Sequence, residues 1–140
     1  MLNPGQLPES SCLSRDEKTL FVGARKSSTV VAVDAHRMAV RGSLQVSGDP
    51  LRVYTISDDQ LLLTDITNRA LHVLSTGLRP IATITLDGIP AAVSLHPRKP
   101  LSYVSLVDTN RIAVVDLDRR AVVGGFGTQL EPDSSVLLSG

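Results

Sequence analysis

The amino-acid sequence predicts an all-β fold made of four-stranded antiparallel blades, the repeating unit of a β-propeller. Three observations support this prediction. The chain repeats itself at a long spacing, each repeat contains four short runs rich in Val, Ile, Leu and Thr, and residues that favour turns separate the runs. No window carries an apolar stripe at the 3.6-residue period of a helix.

The repeat is visible without gaps when Pro8–Pro50 is laid over Pro90–Pro132, an offset of 82 residues. Ten positions are then identical, among them Asp34 with Asp116. The offset is twice 41, and a middle copy fills the space between the other two. A unit of about 40 residues that contains four strands is typical of a propeller blade.

The middle copy follows the last copy less regularly. Thr67–Arg69 lies 42 residues before Thr109–Arg111, whereas Pro50 lies only 40 residues before Pro90. We therefore expect the middle copy to be two residues shorter in its first half, in the turn at Ser57–Gln60.

Three blades are predicted, at about 8–49, 50–89 and 90–131, with 132–140 as the first strand of a further blade. A β-sandwich also has short strands at this spacing, but it does not predict self-similarity with a proline at each boundary. The strands expected in the first blade are Ser10–Ser14, Thr19–Ala24, Thr29–Asp34 and Val40–Val46. Those in the second are Arg52–Ser57, Leu61–Asp65, Ala70–Leu74 and Ile81–Leu86, and those in the third are Ala91–Leu95, Ser102–Val107, Arg111–Asp116 and Val122–Thr128. A final run, Ser135–Ser139, restarts the pattern.

The motifs of the repeat resemble those of the YVTN-type bacterial propeller family. An aromatic residue, Val and a small residue stand at Phe21–Gly23 and Tyr103–Ser105, and Gly-x-Pro closes the repeat at Gly48–Pro50 and Gly88–Pro90. The middle copy departs from the family pattern, and the chain lacks the tryptophan that marks WD40 repeats. The resemblance extends over about residues 8–140. Since lactonase-like and surface-layer-like propellers share the pattern, it implies a superfamily of propellers and not one activity.

Composition excludes some function classes. The chain is 42% hydrophobic and 20% charged with a net charge of zero, and it has no basic run that could follow a nucleic-acid backbone. Cys12 is the single cysteine, so neither an intrachain disulfide nor a thiolate zinc cluster is expected. The first residues lack the apolar segment of a signal peptide, and no membrane span is predicted. No compartment is predicted, although the resemblance implies a periplasmic or extracellular protein.

The histidines do not predict a metal site. His96 lies in a sequence typical of the turn between the first two strands of a blade, so we expect it to stabilise that turn. His36 and His72 occupy different positions in their repeats, and no two histidines have the spacing of metal ligands.

The remaining polar motifs are also assigned to structure. Asp34 and Asp116 end equivalent strands, where a carboxylate accepts hydrogen bonds from the backbone of the following turn. Gly124–Gly127 resembles a phosphate loop only superficially, and we expect a bulge or a thinned outer edge strand there. No serine lies in the Gly-x-Ser-x-Gly motif of a hydrolase.

The sequence therefore predicts a noncatalytic propeller scaffold or binding module, with no catalytic, cofactor-binding or metal-binding residues. A protein or small ligand would bind at a propeller face. The alternative is a segment of a lactonase-like or cofactor-binding propeller enzyme whose active site lies outside this chain. Because a closed propeller needs about four to eight blades, we expect a fragment of a longer propeller protein. The alternatives are self-association that completes a ring and an unusual cap on the ends of the array.

Overall fold

The computed structural model describes residues 10–127, which form three four-stranded antiparallel sheets. The predicted all-β blade fold is confirmed. Blade 1 contains β1 (Ser10–Leu13), β2 (Thr19–Ala24), β3 (Thr29–Asp34) and β4 (Ala39–Gln45). Blade 2 contains β5 (Pro50–Thr55), β6 (Gln60–Asp65), β7 (Ala70–Ser75) and β8 (Pro80–Thr85), and blade 3 contains β9 (Pro90–Leu95), β10 (Leu101–Leu106), β11 (Arg111–Asp116) and β12 (Ala121–Gly127). The predicted strand at Ser135–Ser139 lies outside the described residues.

Each outermost strand contains a β-bulge. The register of β3 with β4, of β7 with β8 and of β11 with β12 shifts once, which leaves one residue of the outer strand without an opposite partner. These extra residues are Arg41, Ile81 and Val123. The bulge predicted near Gly124 is therefore confirmed, and it recurs in all three blades.

Two apolar clusters join the blades. One packs Phe21, Val30 and Ala32 of blade 1 against Leu61 and Leu63 of blade 2. The other packs the opposite face of blade 2 against blade 3, and it contains Leu62, Leu71, Val73, Ile84, Val93, Val104, Leu106, Ala113 and Val115. Because successive side chains of a strand point to opposite faces, the Leu-Leu-Leu run of β6 fills both clusters, and each of its residues is 0% exposed.

The far face of blade 3 repeats the pattern by which blade 2 packs on blade 3. Its residues occupy the same strand positions and have the same cross-strand partners, but they are half-buried or exposed, with Phe126 at 37%. The equivalent pairs are Leu62 and Tyr103, Leu71 and Ile112, Val73 and Val114, and Ile84 and Phe126.

The structure corrects the alignment of the middle copy. Arg69 and Asn110 occupy the left-handed position that ends the second turn of their blades, with φ of 51° and 53°. The strands that follow begin at Ala70 and Arg111, so the structural offset is 41 and not 42. The two identical Thr-Asn-Arg sequences therefore occupy positions that differ by one residue in the two blades, because structurally equivalent residues are defined by the backbone geometry of the turn. The middle copy was expected to be two residues shorter than the last copy before its second turn. The first turn of blade 2 is shorter by one residue, since β6 starts 10 residues after Pro50 and β10 starts 11 residues after Pro90.

The antiparallel order places the connections on two faces. We call the face that contains the blade crossings and second turns, 25–28, 46–49, 66–69, 86–89 and 107–110, the boundary face. The opposite face contains the first and third turns, 14–18, 35–38, 56–59, 76–79, 96–100 and 117–120, and we call it the hairpin face.

Candidate functional site

The Gly-x-Pro motif is built around a carboxylate of the blade that it enters. The backbone N–H of Asp49 donates to Asp65 Oδ1 at 3.0 Å, and the backbone N–H of Ile89 donates to Asp108 Oδ1 at 2.7 Å. The carbonyls of Asp49 and Ile89 in turn accept the N–H of Ile66 and Val107. Both hydrogen-bonding groups of the middle residue are thereby satisfied at each blade boundary.

The glycine of this motif is required by close approach and not by its backbone angle. None of the described glycines has a positive φ. A β-carbon at Gly48 would overlap the carboxylate of Asp65, and one at Gly88 would lie 2.6 Å from Asp108 Oδ1. The repeat therefore has glycine where the carboxylate of the next blade lies against the backbone.

Asp65 is the most densely bonded carboxylate of the described chain. It is 1% exposed, and it accepts hydrogen bonds from the backbone N–H groups of Asp49 and Asn68, from the Asn68 amide and from His72. Burial by itself would raise the pKa of Asp65, but the hydrogen bonds from His72, Asn68 and the two backbone amides together outweigh it and hold the pKa below its ordinary value. Asp65 is therefore an ionised, acceptor-only group.

His72 links Asp65 to an exposed hydroxyl. Leu63 and His72 are opposite each other on β6 and β7, so His72 shares a sheet face with Asp65 two residues along. Its Nε2 lies 2.8 Å from Asp65 Oδ2, and its Nδ1 lies 3.0 Å from Thr83 Oγ1 on β8. Because the carboxylate can only accept, Nε2 carries the proton, and in the neutral form of the ring Nδ1 accepts a hydrogen bond from the Thr83 hydroxyl.

This array opens into a cleft of about 300 Å³ on the boundary-face side of the junction between blades 1 and 2. Strand β4 and the segment after it form one wall, and β8 forms the other. The lining residues are Leu44, Gln45, Val46, Ser47, His72, Leu74, Pro80, Ala82 and Thr83. The arrangement combines a hydroxyl, an imidazole and a buried carboxylate with apolar walls.

Two further clefts lie side by side on the hairpin face. The cleft between blades 1 and 2 has a volume of about 420 Å³, and its lining includes Asp16, Arg41 and Asp58. The cleft between blades 2 and 3 has a volume of about 290 Å³, and its lining includes Arg15 and Lys99. Both clefts present charged side chains.

The residues that the sequence assigned to turns lie in turns. The Oδ1 atoms of Asp34 and Asp116 each accept two backbone N–H groups, at 2.9 and 3.0 Å. The amides of Arg37 and His36 thereby lower the pKa of Asp34. His96 Nδ1 accepts the N–H groups of Arg98 and Lys99 at 3.0 Å each. These predictions are confirmed, and these groups are not brought together in one site.

Sequence reasoning missed the contact between Asp65 and His72. The sequence places Asp65 only at the end of a predicted strand, and His72 was weighed only as a metal ligand. The available signal was the hairpin itself, because a four-residue turn between β6 and β7 places residues 65 and 72 diagonally on one face.

Across residues 10–127 no group of three or more His, Cys, Asp or Glu side chains could hold a metal ion. The same residues include no helix of the length and apolarity that a membrane crossing requires.

Comparison with known proteins identifies the fold. No family model matches the sequence, and no curated protein is similar to it. Among solved structures, hydrazine synthase of Kuenenia stuttgartiensis superposes with a TM-score of 0.79 at 23% identity, over 87% of this chain and 36% of that one. The WD40 repeats of RRP9 superpose with a TM-score of 0.77 at 11% identity, over 90% and 40% of the two chains. BamB from Moraxella catarrhalis superposes with a TM-score of 0.67 at 19% identity, over 90% and 38%.

These identities are low, so the likeness shows the fold alone. The chain spans about two-fifths or less of the length of these three structures. Together with the three four-stranded sheets, the comparison shows that the chain consists of β-propeller blades similar to those of WD40-like proteins.

Proposed function

We propose that this chain is the scaffold of a binding module, formed by blades of a longer YVTN-type propeller protein, and that its hairpin face binds a protein or small ligand. The observation that carries the proposal is the pair of clefts at successive blade junctions on that one face. Arg15, which lines one cleft, lies 3.6 Å from Asp58, which lines the other. A ligand that crosses this ion pair would contact both clefts.

The clefts of the hairpin face are lined by charged side chains, whereas none of the described Asp, Glu, Lys or Arg residues lines the cleft between β4 and β8, which favours the hairpin face. On the boundary face, Arg25 donates two hydrogen bonds of 2.7 Å to the carboxylate of Asp49, and this pair is partly buried. On the hairpin face, the carboxylate of Asp58 is 87% exposed, and Lys99 is also exposed. Exposed charges that line a concave surface are available to a partner, whereas buried pairs stabilise the fold.

Two observations support the place of these blades in a longer propeller. The similar solved structures are more than twice as long as this chain. The far face of blade 3 also carries apolar or aromatic residues at the positions through which blade 2 packs on blade 3. We propose that this face packs against a further blade in the same way. Self-association through the face would instead give a discrete multiple of 14.9 kDa in light scattering.

The binding proposal is tested by photocrosslinking in the cells that produce the protein. A photoreactive amino acid is introduced at Asp58 or Lys99 on the hairpin face, and at Asn68 on the boundary face as the matched control. We expect a discrete crosslinked partner from the hairpin face only, and we expect Arg41→Glu to weaken it. Equal crosslinking from Asn68 would contradict the assignment of the binding face.

A propeller enzyme is the second candidate function. The observation that favours it is the contact of Asp65, His72 and Thr83 in a cleft that the hairpin-face proposal does not use.

A further inference from the structure

We propose that Thr83, His72 and Asp65 form a nucleophilic site, in which the hydroxyl of Thr83 accepts an acyl group from a small carboxylic ester. The site lies in the cleft between β4 and β8. It is separate from the hairpin-face clefts, so it adds an activity to the binding role proposed above.

The hydrogen-bond chain gives each group one role. In the neutral form of His72, the Thr83 hydroxyl donates to His72 Nδ1, and His72 Nε2–H donates to Asp65 Oδ2. This is the connectivity of a Ser-His-Asp triad, with the two ring nitrogens exchanged and threonine in place of serine. His72 is thus a neutral base in direct contact with a nucleophile.

Asp65 is the positioning residue of the site. Its carboxylate is fixed by the backbone N–H groups of Asp49 and Asn68 and by the Asn68 amide, so it cannot rotate away from His72 without losing those bonds. A negative charge at this position also stabilises the imidazolium that forms when His72 takes the proton.

The cleft defines the class of substrate. Leu44, Val46 and Leu74 form an apolar lining, which suits a short hydrocarbon chain. Gln45 and Ser47 line the same cleft and are the polar groups available to a carbonyl oxygen. A volume of about 300 Å³ restricts the substrate to a small ester.

The reaction balances with the ester and water alone. Thr83 Oγ1 bonds to the ester carbonyl carbon as its proton passes to His72 Nδ1. The bond from that carbon to the leaving oxygen then breaks, and the leaving alkoxide takes the proton from His72, which gives acyl-threonine and an alcohol. In the second step, water gives a proton to His72 Nδ1 as its oxygen bonds to the acyl carbon. The bond from that carbon to Thr83 Oγ1 then breaks, and Oγ1 takes the proton from His72, which releases the carboxylic acid and restores the threonine hydroxyl.

The test is acetylation of the whole chain by p-nitrophenyl acetate, followed as nitrophenolate release and located by mass spectrometry of peptides. We expect the acetyl group on Thr83. Thr83→Ser should keep the reaction, whereas Thr83→Val should remove the adduct, and His72→Gln should slow its formation about 100-fold. The matched control is Thr85→Val, because Thr85 is exposed two residues along the same strand, and labelling of Thr83 should be unchanged. Acetylation of Thr85 as fast as Thr83, or nitrophenolate release unaffected by Thr83→Val, would overturn the proposal.

The positioning role of Asp65 requires a separate readout. Within residues 10–127, the ionisable side chain in hydrogen-bond contact with the His72 ring is that of Asp65. The elements around the ring otherwise contribute neutral groups, which are Gln45 at the end of β4, Ser47 after it, and Pro80 and Thr83 on β8. In Asp65→Asn, labelling should therefore continue to a lower pH, because the imidazolium loses its counter-ion. An unchanged pH profile with a uniformly lower rate would reduce Asp65 to a structural residue. If circular dichroism shows that Asp65→Asn does not fold, the Thr83 and His72 variants decide the proposal.

Discussion

Blades 2 and 3 are made from the same repeat, but blade 2 is covered on both faces and blade 3 on one among the described residues. The middle copy, whose sequence differs most from the other two copies, is the one that is covered twice. Its Leu-Leu-Leu run contributes three fully buried side chains, whereas blade 3 has Ser102, Tyr103 and Val104 there, of which Ser102 and Val104 are fully buried and Tyr103 is half-buried. The middle copy therefore keeps the structure of a blade although its residues differ, because Leu61 and Leu63 pack in the cluster with blade 1 and Leu62 packs in the cluster with blade 3.

The two blades also differ in the carboxylate that accepts the backbone N–H of the Gly-x-Pro segment. Blade 2 uses Asp65, the last residue of β6, while blade 3 uses Asp108, two residues beyond the end of β10. Asp65 is almost fully buried, whereas the Asp108 side chain is 26% exposed and lies 3.7 Å from Arg69 of blade 2. The same backbone N–H is thus satisfied by a buried carboxylate in one blade and by a partly solvated one in the other.

The largest difference is expected between Asp65→Ala and Asp108→Ala. Removing Asp65 leaves several buried donors without an acceptor and should cost about 3 kcal/mol of unfolding free energy. Water can replace the Asp108 carboxylate, so that variant should lose about 1 kcal/mol. Urea denaturation of both variants measures the difference, and equal losses would show that burial of the carboxylate does not matter.

A second comparison uses two valines at the same position of their blades. Val73 is 1% exposed between blades 2 and 3, whereas Val114 is half-buried on the far face of blade 3. Val73→Ala should cost about 2 kcal/mol and Val114→Ala about 0.5 kcal/mol. Denaturation of the 140-residue chain measures both losses. In a longer protein where a further blade covers Val114, the two costs should converge, and continued inequality there would count against the proposed packing.

Gly48→Ala and Gly88→Ala test why the boundary glycine is required. The new methyl group at position 48 meets a carboxylate that is fixed by four hydrogen-bond donors, so this variant should lose about 2 kcal/mol. At position 88 the more exposed Asp108 can shift, and the loss should be about 1 kcal/mol. Thermal unfolding compares the two variants. If Asp65→Ala makes Gly48→Ala harmless in the double variant, the overlap with the carboxylate is the cause.

Much of the fold can be predicted from short local sequence patterns. Pro50 and Pro90 mark the blade boundaries, and Asp34 and Asp116 end strands because their carboxylates accept the turn amides. These features need only neighbouring residues, so the sequence predicts them. The repeated Thr-Asn-Arg sequence gave a wrong alignment of the two turns, because equivalent positions in a four-residue turn are defined by its left-handed residue and not by sequence identity.

The candidate sites depend on contacts that the repeat does not encode. Thr83 meets His72 because β8 pairs with β7 in one register, and the register is set by a bulge at Ile81 that the letters of blade 2 do not signal. The hairpin-face clefts are formed by turns of different blades. Their lining depends on how two blades pack, which composition and periodicity do not define.

The smallest expected effect is the pH dependence that Asp65 gives to the free energy of unfolding. The hydrogen bonds that outweigh its burial hold the pKa of Asp65 in the folded chain below its ordinary value of 3.8. A lowered pKa means that the carboxylate contributes stability above the unfolded-state value, and that this contribution is lost as the pH falls through the folded-state value. Asp65→Asn should therefore be less stable than the natural chain at neutral pH, and its stability should change less as the pH falls from about 5 to about 3. The control is Asp87→Asn, which removes an exposed carboxylate, and urea midpoints across this range make the measurement. An identical acid response in the natural chain and in Asp65→Asn would show that the hydrogen bonds to Asp65 do not favour its ionised form.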